Sequence, residues 1–219
     1  SAPVTLNVTP IPTAYTVGGG GAYCQGGNGV TVTLGQSTPG VEYTLMHNGN
    51  PVSGSTTFGT GSGLSWNNQT LPGTYTVGAQ QSGCPATMTG QAVVSILPLP
   101  TAYTVTGGGS YPAGGSGVPI GLSGSQTGYE YYLELQGYGV VPPSPVTGTG
   151  SAITFGNQTI AGTYIVRGMN PGSQCETLMS GNATIGVNPA PTVFDMTGGG
   201  EGCERSEEHT SELQSRQVI

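Results

Sequence analysis

Few residues in this sequence could do chemistry. Glu130 and Glu134 are the nearest thing to a carboxylate pair. On a strand they share a face and stand roughly 13 Å apart at ~3.3 Å per residue. Glycosidic cleavage needs its two carboxyl groups about 5–9.5 Å apart. The corresponding residues earlier in the chain are Glu42 and Met46, so the pair is not repeated and reads as a solvated strand face. His47 is the sole histidine before residue 205 and corresponds to Leu135. It is expected at a strand end, partly buried, with no acid to orient it as hydrolase chemistry requires. The glycine runs Gly18–Gly21 and Gly107–Gly109 resemble phosphate loops only superficially. A phosphate loop needs a Gly-Lys-Ser/Thr leading into a helix, and the chain contains no lysine. Turn or bulge glycines are the expectation. No catalytic site and no cofactor is expected.

The cysteines are Cys24, Cys84, Cys175 and Cys203. No Cys-x-x-Cys spacing occurs and no histidine lies near, so zinc is not expected. Cys24 precedes the second strand of its repeat and Cys84 precedes the last. The expected disulfide is Cys24–Cys84, stabilising by roughly 4 kcal/mol on chain-entropy grounds, with Cys175 and Cys203 left as thiols. Two alternatives stay open: a Cys175–Cys203 bridge, which would have to cross a repeat junction, and four free, buried cysteines. A disulfide implies an oxidising compartment or the cell exterior.

The elements that position these residues come in repeats. Thr13-Ala14-Tyr15-Thr16-Val17 recurs at 101–105, Asn68-Gln69-Thr70 at 157–159, and Gly73-Thr74-Tyr75-x-Val77 at 162–166. Internal repetition of this kind marks a module array. The expected units are 13–100 and 101–191. Residues 1–12 match 89–100 and read as the last strand of a preceding unit. Residues 192–203 restart the pattern, so the chain reads as a piece of an array of at least four units. Pro-x-Pro links sit at 10–12, 98–100 and 189–191, and proline makes such links short and semi-rigid.

Within a unit, apolar residues alternate with period two, the signature of strands covered on one face. Seven strands are expected in the first unit, near 13–17, 30–34, 41–47, 52–58, 63–67, 73–79 and 86–96. This is the pattern of an all-β, immunoglobulin-like antiparallel sandwich, present twice in tandem. The repeat also pairs core positions: Trp66 with Phe155, Leu64 with Ile153, Met88 with Met179, Tyr75 with Tyr164. Val30, Val32 and Leu34, Val41, Tyr43 and Leu45, and Ala92, Val94 and Ile96 are expected to line the core.

A net charge of -7 with three Arg and no Lys argues against nucleic acid, whose phosphates need cations, and against an anionic membrane surface. No apolar run reaches membrane-spanning length. From Arg205 the sequence reads Arg-Ser-Glu-Glu-His-Thr-Ser-Glu-Leu-Gln-Ser, which matches the in-frame translation of a common sequencing-library adapter. Residues 204–219 are therefore read as a non-native tail, the alternative being a genuine charged helical tail.

Taken together, Tyr-Thr-Val-x-Gly-Gly-Gly, Tyr23-Cys24-x-Gly26-Gly27-x-Gly29-Val30, Gly148-Thr149-Gly150, Phe155-Gly156-Asn157-Gln158-Thr159 and Gly-Thr-Tyr resemble a tandem immunoglobulin-like module of very large Bacteroidota surface proteins. The resemblance covers 1–203. It implies export to the cell surface and, in some relatives, adhesion or gliding. Pro112 departs from the pattern where Cys24 stands in the first unit. Two functions are expected to compete. One is a structural spacer in a cell-surface adhesin, its partners the neighbouring repeats. The other is a glycan- or protein-binding accessory module of a secreted multidomain enzyme, suggested by Tyr132, Tyr138 and the segment Val140–Pro145.

Overall fold

The computed structural model describes residues 10–192. The expectations for residues 1–9, for the partial unit at 193–203 with its Cys203, and for the tail from 204 lie outside them. The described residues are all β, and the same strand order occurs twice. In the first half, β1 (Val17–Gly19), β3 (Val30–Leu34) and β7 (Leu64–Gln69) form a three-stranded sheet in the order β1-β3-β7. Facing it is a larger sheet of β2 (Gly21–Cys24), β10 (Ala92–Leu97), β8 (Gly73–Gln81), β4 (Glu42–His47) and β5 (Asn50–Pro51), in the order β2-β10-β8-β4-β5. Short β6 (Thr57–Phe58) pairs with β4, and β9 (Cys84–Thr87) pairs with β8. All pairings are antiparallel except β2 with β10.

The second half repeats this. β11 (Val105–Gly107), β13 (Val118–Leu122) and β17 (Ile153–Gln158) make the small sheet. β12 (Gly109–Pro112), β20 (Ala183–Asn188), β18 (Gly162–Met169), β14 (Glu130–Leu135) and β15 (Gly139–Val140) make the large one, with β16 (Val146–Thr147) on β14 and β19 (Glu176–Leu178) on β18. Two sheets closing over one core, with the first strand shared between them, is the immunoglobulin-like sandwich. The compact body holding both sandwiches ends at Asn188.

Each sandwich has its own core. Val32, Leu34, Val41, Tyr43, Leu45, Trp66, Tyr75, Val77, Met88, Ala92 and Val94 are buried in the first. Ile120, Leu122, Tyr131, Leu133, Phe155, Tyr164, Val166, Met179 and Ile185 are buried in the second. Alternation explains the set, because every second residue of a strand points inward. Val30 and Ile153 are half-buried against the cores. Ile96 is exposed, contrary to expectation. β8 begins at Gly73, opposite Val94, so beyond that point β10 runs beside β2 alone.

The buried tyrosines carry a polar signature of the fold. Tyr75 donates its hydroxyl to the carbonyl of Leu71 at 3.0 Å, and Tyr164 donates to that of Ile160 at 2.8 Å. Each reaches four residues upstream at the start of its strand, as in the tyrosine corner of immunoglobulin-like domains. Tyr23 bonds to the Thr70 carbonyl, and Tyr111 to that of Thr159.

The first strand is not where the sequence pattern put it. Residues 13–16 lie outside regular strand, and the strand runs over 17–24 as two pieces in two sheets. Gly19 and Gly20 make the crossing, with φ of +79° and +75°. A Cβ on Gly19 would lie 2.3 Å from the Thr31 carbonyl oxygen, and one on Gly20 would lie 2.6 Å from that of Val93. Only glycine allows both the left-handed backbone and the close approach. Gly107 and Gly108 repeat the arrangement. The last expected strand, 86–96, is likewise two strands, β9 and β10, separated at Gly90 with φ of +78°.

Candidate functional surfaces

The disulfide differs from the expected one. Cys24 is bonded to Cys175, with their Cα atoms 5.6 Å apart. The reason is strand register. Cys24 lies at the end of β2 opposite Leu97 of β10, while Cys84 sits in the β8–β9 hairpin opposite Gln81. β10 meets β8 with Val94 opposite Gly73. Cys24 and Cys84 are thus about 11 residue steps apart along the strands, roughly 36 Å. A disulfide needs its Cα atoms within about 7 Å. The two cysteines of the first repeat occupy opposite poles of one sandwich.

Cys175 occupies in the second sandwich the hairpin position that Cys84 holds in the first. It follows the β18 strand end, where its carbonyl accepts from the Asn170 amide at 3.0 Å. Asn170 in turn bonds to the Tyr129 hydroxyl, and the Tyr129 amide bonds to the Gln126 carbonyl. The Gln126 side chain accepts from the Thr101 amide at 2.7 Å, just after the Pro98-Leu99-Pro100 link. The bond therefore spans that link: Cys24 lies beside Leu97 on one side of it, and Cys175 lies on the pole that receives the chain on the other. Cys175 is fully buried. At the position of Cys24, the second sandwich has Pro112, opposite Asn188.

A charged cluster lies on the outer face of the second sandwich. Tyr132 of β14 stands opposite Arg167 of β18 in register. The Arg167 guanidinium bonds to Glu134 at 2.5 Å and to Glu176 at 2.7 Å, and lies 5.8 Å from the centre of the Tyr132 ring. Tyr132 donates its hydroxyl to Glu130 at 2.7 Å. That bond to a carboxylate raises the Tyr132 pKa above its ordinary value, and the bonds to Glu176 and Glu134 raise that of Arg167. Glu130 and Glu134 do share a strand face. They are not merely solvated, since each holds a partner that sequence reading left unconnected. The available signal was that Arg167 is the sole Lys or Arg before Arg205.

The first sandwich has a groove on the matching face. Thr44 and Gly78 are opposite one another there, at the positions of Tyr132 and Arg167. With both side chains small, a groove of about 530 Å³ opens between Glu42, Thr44 and Met46 of β4 and Pro85, Ala86 and Thr87 of β9. Gly78 forms its floor, and a Cβ there would meet nothing within 4 Å.

His47 lies half-buried at the end of β4. Its ring packs 4.7 Å from that of Tyr75, and its Nε2 is 3.1 Å from the Pro72 carbonyl oxygen and 3.3 Å from the Asn48 amide. No acid is among these partners. Tyr132 and Tyr138, paired in the binding expectation, are not alike: Tyr132 is engaged by Glu130 and Arg167, whereas Tyr138 is 82% exposed in the β14–β15 turn. Pro142, Pro143 and Pro145 are exposed beside it, and Val141 packs on the core. Among the described residues no group of three or more His, Cys, Asp or Glu side chains could hold a metal ion, and no helix is long and apolar enough to cross a membrane.

No protein-family model matches the chain, and no curated protein does. Solved structures similar to it are the human OSCAR ligand-binding domain (15% identity, 80% of this chain and 100% of that one, TM-score 0.34) and murine CEACAM1b (11% identity, 76% and 96%, TM-score 0.36). A third is the full ectodomain of mouse nectin-like molecule 4 (13% identity, 84% and 67%, TM-score 0.29).

Proposed function

We propose that residues 13–191 are structural spacer repeats of a large extracellular, cell-surface protein of the bacterial adhesin kind, with no catalysis within them. The observation that carries this reading is the Cys24–Cys175 bond. It fastens one sandwich to the next across a link already stiffened by Pro98 and Pro100. A spacer has to hold length and direction, and a covalent bond beside a short proline link restricts both. The bond also supports an oxidising, extracellular location. The outer face of the second sandwich is closed by its own ion pairs, which suits a surface with no ligand to meet.

The test is binding and orientation measured together. The oxidised chain is expected to show no saturable binding to a panel of glycans and surface proteins. Residual dipolar couplings from both sandwiches are expected to fit one alignment tensor. Saturable binding, or two independent tensors, would count against the spacer.

The groove beside Gly78 and the exposed Tyr138 favour a second reading, an accessory module that binds a glycan or protein for a secreted enzyme. Small ligands bind in concave sites, and this one sets the polar side chains of Glu42, Thr44, Gln80 and Thr87 beside Met46 and Pro85. On that reading, Gly78→Arg and Tyr138→Ala each reduce affinity for a ligand found in the same panel. Unchanged affinity in both variants sinks it.

A further inference from the structure

The Cys24–Cys175 bond changes which part of the chain carries a load. Chain connectivity alone would pass a pull at the two ends through every residue in between. The covalent path is much shorter. It enters through β1 and β2, crosses from the sulfur of Cys24 to that of Cys175, and leaves through β19 and β20. We infer that tension along the chain bypasses residues 25–174, so that most of both sandwiches is shielded from extension while the bond is intact. The inference rests on the spacer reading for the existence of the load, and on the cysteine pairing for its path.

The loaded strands are few. In the first sandwich they are β1 and β2, at the edges of their sheets. β2 has β10 as its single strand neighbour, running parallel to it. In the second they are β19, which pairs with β18, and β20, which lies between β12 and β18. The remaining strands of both sandwiches, β3 to β18, lie inside the closed loop. Stripping β1 and β2 from the first sandwich leaves Cys24 tethered, and the chain between Cys24 and Cys175 cannot lengthen. The separation of 151 residues corresponds to about 530 Å of extended chain at ~3.5 Å per residue. That length stays hidden under any force that leaves the sulfur–sulfur bond whole.

The length is released by reduction. An external dithiol supplies two electrons and two protons, the bond between the Cys24 and Cys175 sulfurs breaks, each becomes a thiol, and the reductant closes to a cyclic disulfide. The device is then a redox-controlled stop on extension. Pro112, which holds the equivalent register position in the second sandwich, has no sulfur with which to extend it to the following junction.

The experiment is single-molecule stretching of the full chain, held by handles at its two ends, with and without dithiothreitol, beside the Cys24→Ser variant. The expected total contour length of the oxidised protein is about 530 Å shorter than that of the reduced protein and of Cys24→Ser. Equal lengths would overturn the inference. A shortfall of only roughly 210 Å, the extended length of the 24–84 segment, would overturn it too. Total contour does not depend on whether the variant folds, and reduction of the folded wild-type chain gives the same readout. Saturable ligand binding by the same preparation would sink the spacer reading and leave the shortfall standing, so the two failures are distinct.

Discussion

Cys24 and Cys175, 151 residues apart in sequence, are bonded to each other across the Pro98-Leu99-Pro100 link. The position that could have closed a loop within the first sandwich, Cys84, lies at that sandwich's other pole. Closing so long a loop removes chain entropy from the unfolded state worth about 5 kcal/mol. Cys24→Ser is therefore expected to lower the midpoint of thermal unfolding of the described sandwiches markedly, and dithiothreitol to do the same to the wild type. A midpoint unchanged by either treatment would show that the bond contributes nothing.

Gly20→Ala is expected to be among the most damaging small substitutions. The residue has φ of +75°, and the added Cβ would sit 2.6 Å from the Val93 carbonyl oxygen. Strain of this kind costs on the order of 1–3 kcal/mol before the clash is counted. Denaturant unfolding should show a loss of at least about 2 kcal/mol, with the same result for Gly108→Ala, whose Cβ would lie 2.9 Å from the Thr184 carbonyl oxygen.

Gly78→Arg is expected to be tolerated. No positive φ constrains the position and the groove leaves room. Stability should stay within about 0.5 kcal/mol, the usual range for surface changes. Conversely, Arg167→Ala should cost no more than about 1 kcal/mol, since these ion pairs are half-exposed on an outer face, where solvent screens them. The two variants separate a charge cluster that fills a face from one that holds the fold.

Alkali is expected to unfold the protein. Burial raises the pKa of Tyr75, Tyr131 and Tyr164 above the ordinary 10.0. The folded state thus holds these protons more tightly than the unfolded one. The stability this provides is full below pH about 10 and is lost as pH rises through the higher folded values. Absorbance of tyrosinate should show these three ionising together with loss of circular dichroism. Free titration near pH 10 in the folded state would contradict their burial.

The sandwich was legible because it is written in alternation: Val41, Tyr43 and Leu45 announce a half-buried strand, and the second copy repeats it with Tyr131 and Leu133. The first strand was misplaced because its residues have no alternation to read. Its path is set by Gly18–Gly21, which let the chain change sheets. The cysteine pairing was not legible, since spacing along a sequence says nothing about which pole of a sandwich a residue reaches. The same limit hid the Arg167 cluster. Tyr132, Glu134 and Glu176 meet Arg167 through register between β14, β18 and β19, which exists only once the sheet has formed.

Peptide mapping of the unreduced chain by mass spectrometry, after cleavage between all four cysteines, reads the pairing itself. A linked pair of peptides carrying Cys24 and Cys175 is expected, separating on reduction. A linked pair carrying Cys24 and Cys84 would overturn both the clasp across the junction and the shielding of residues 25–174.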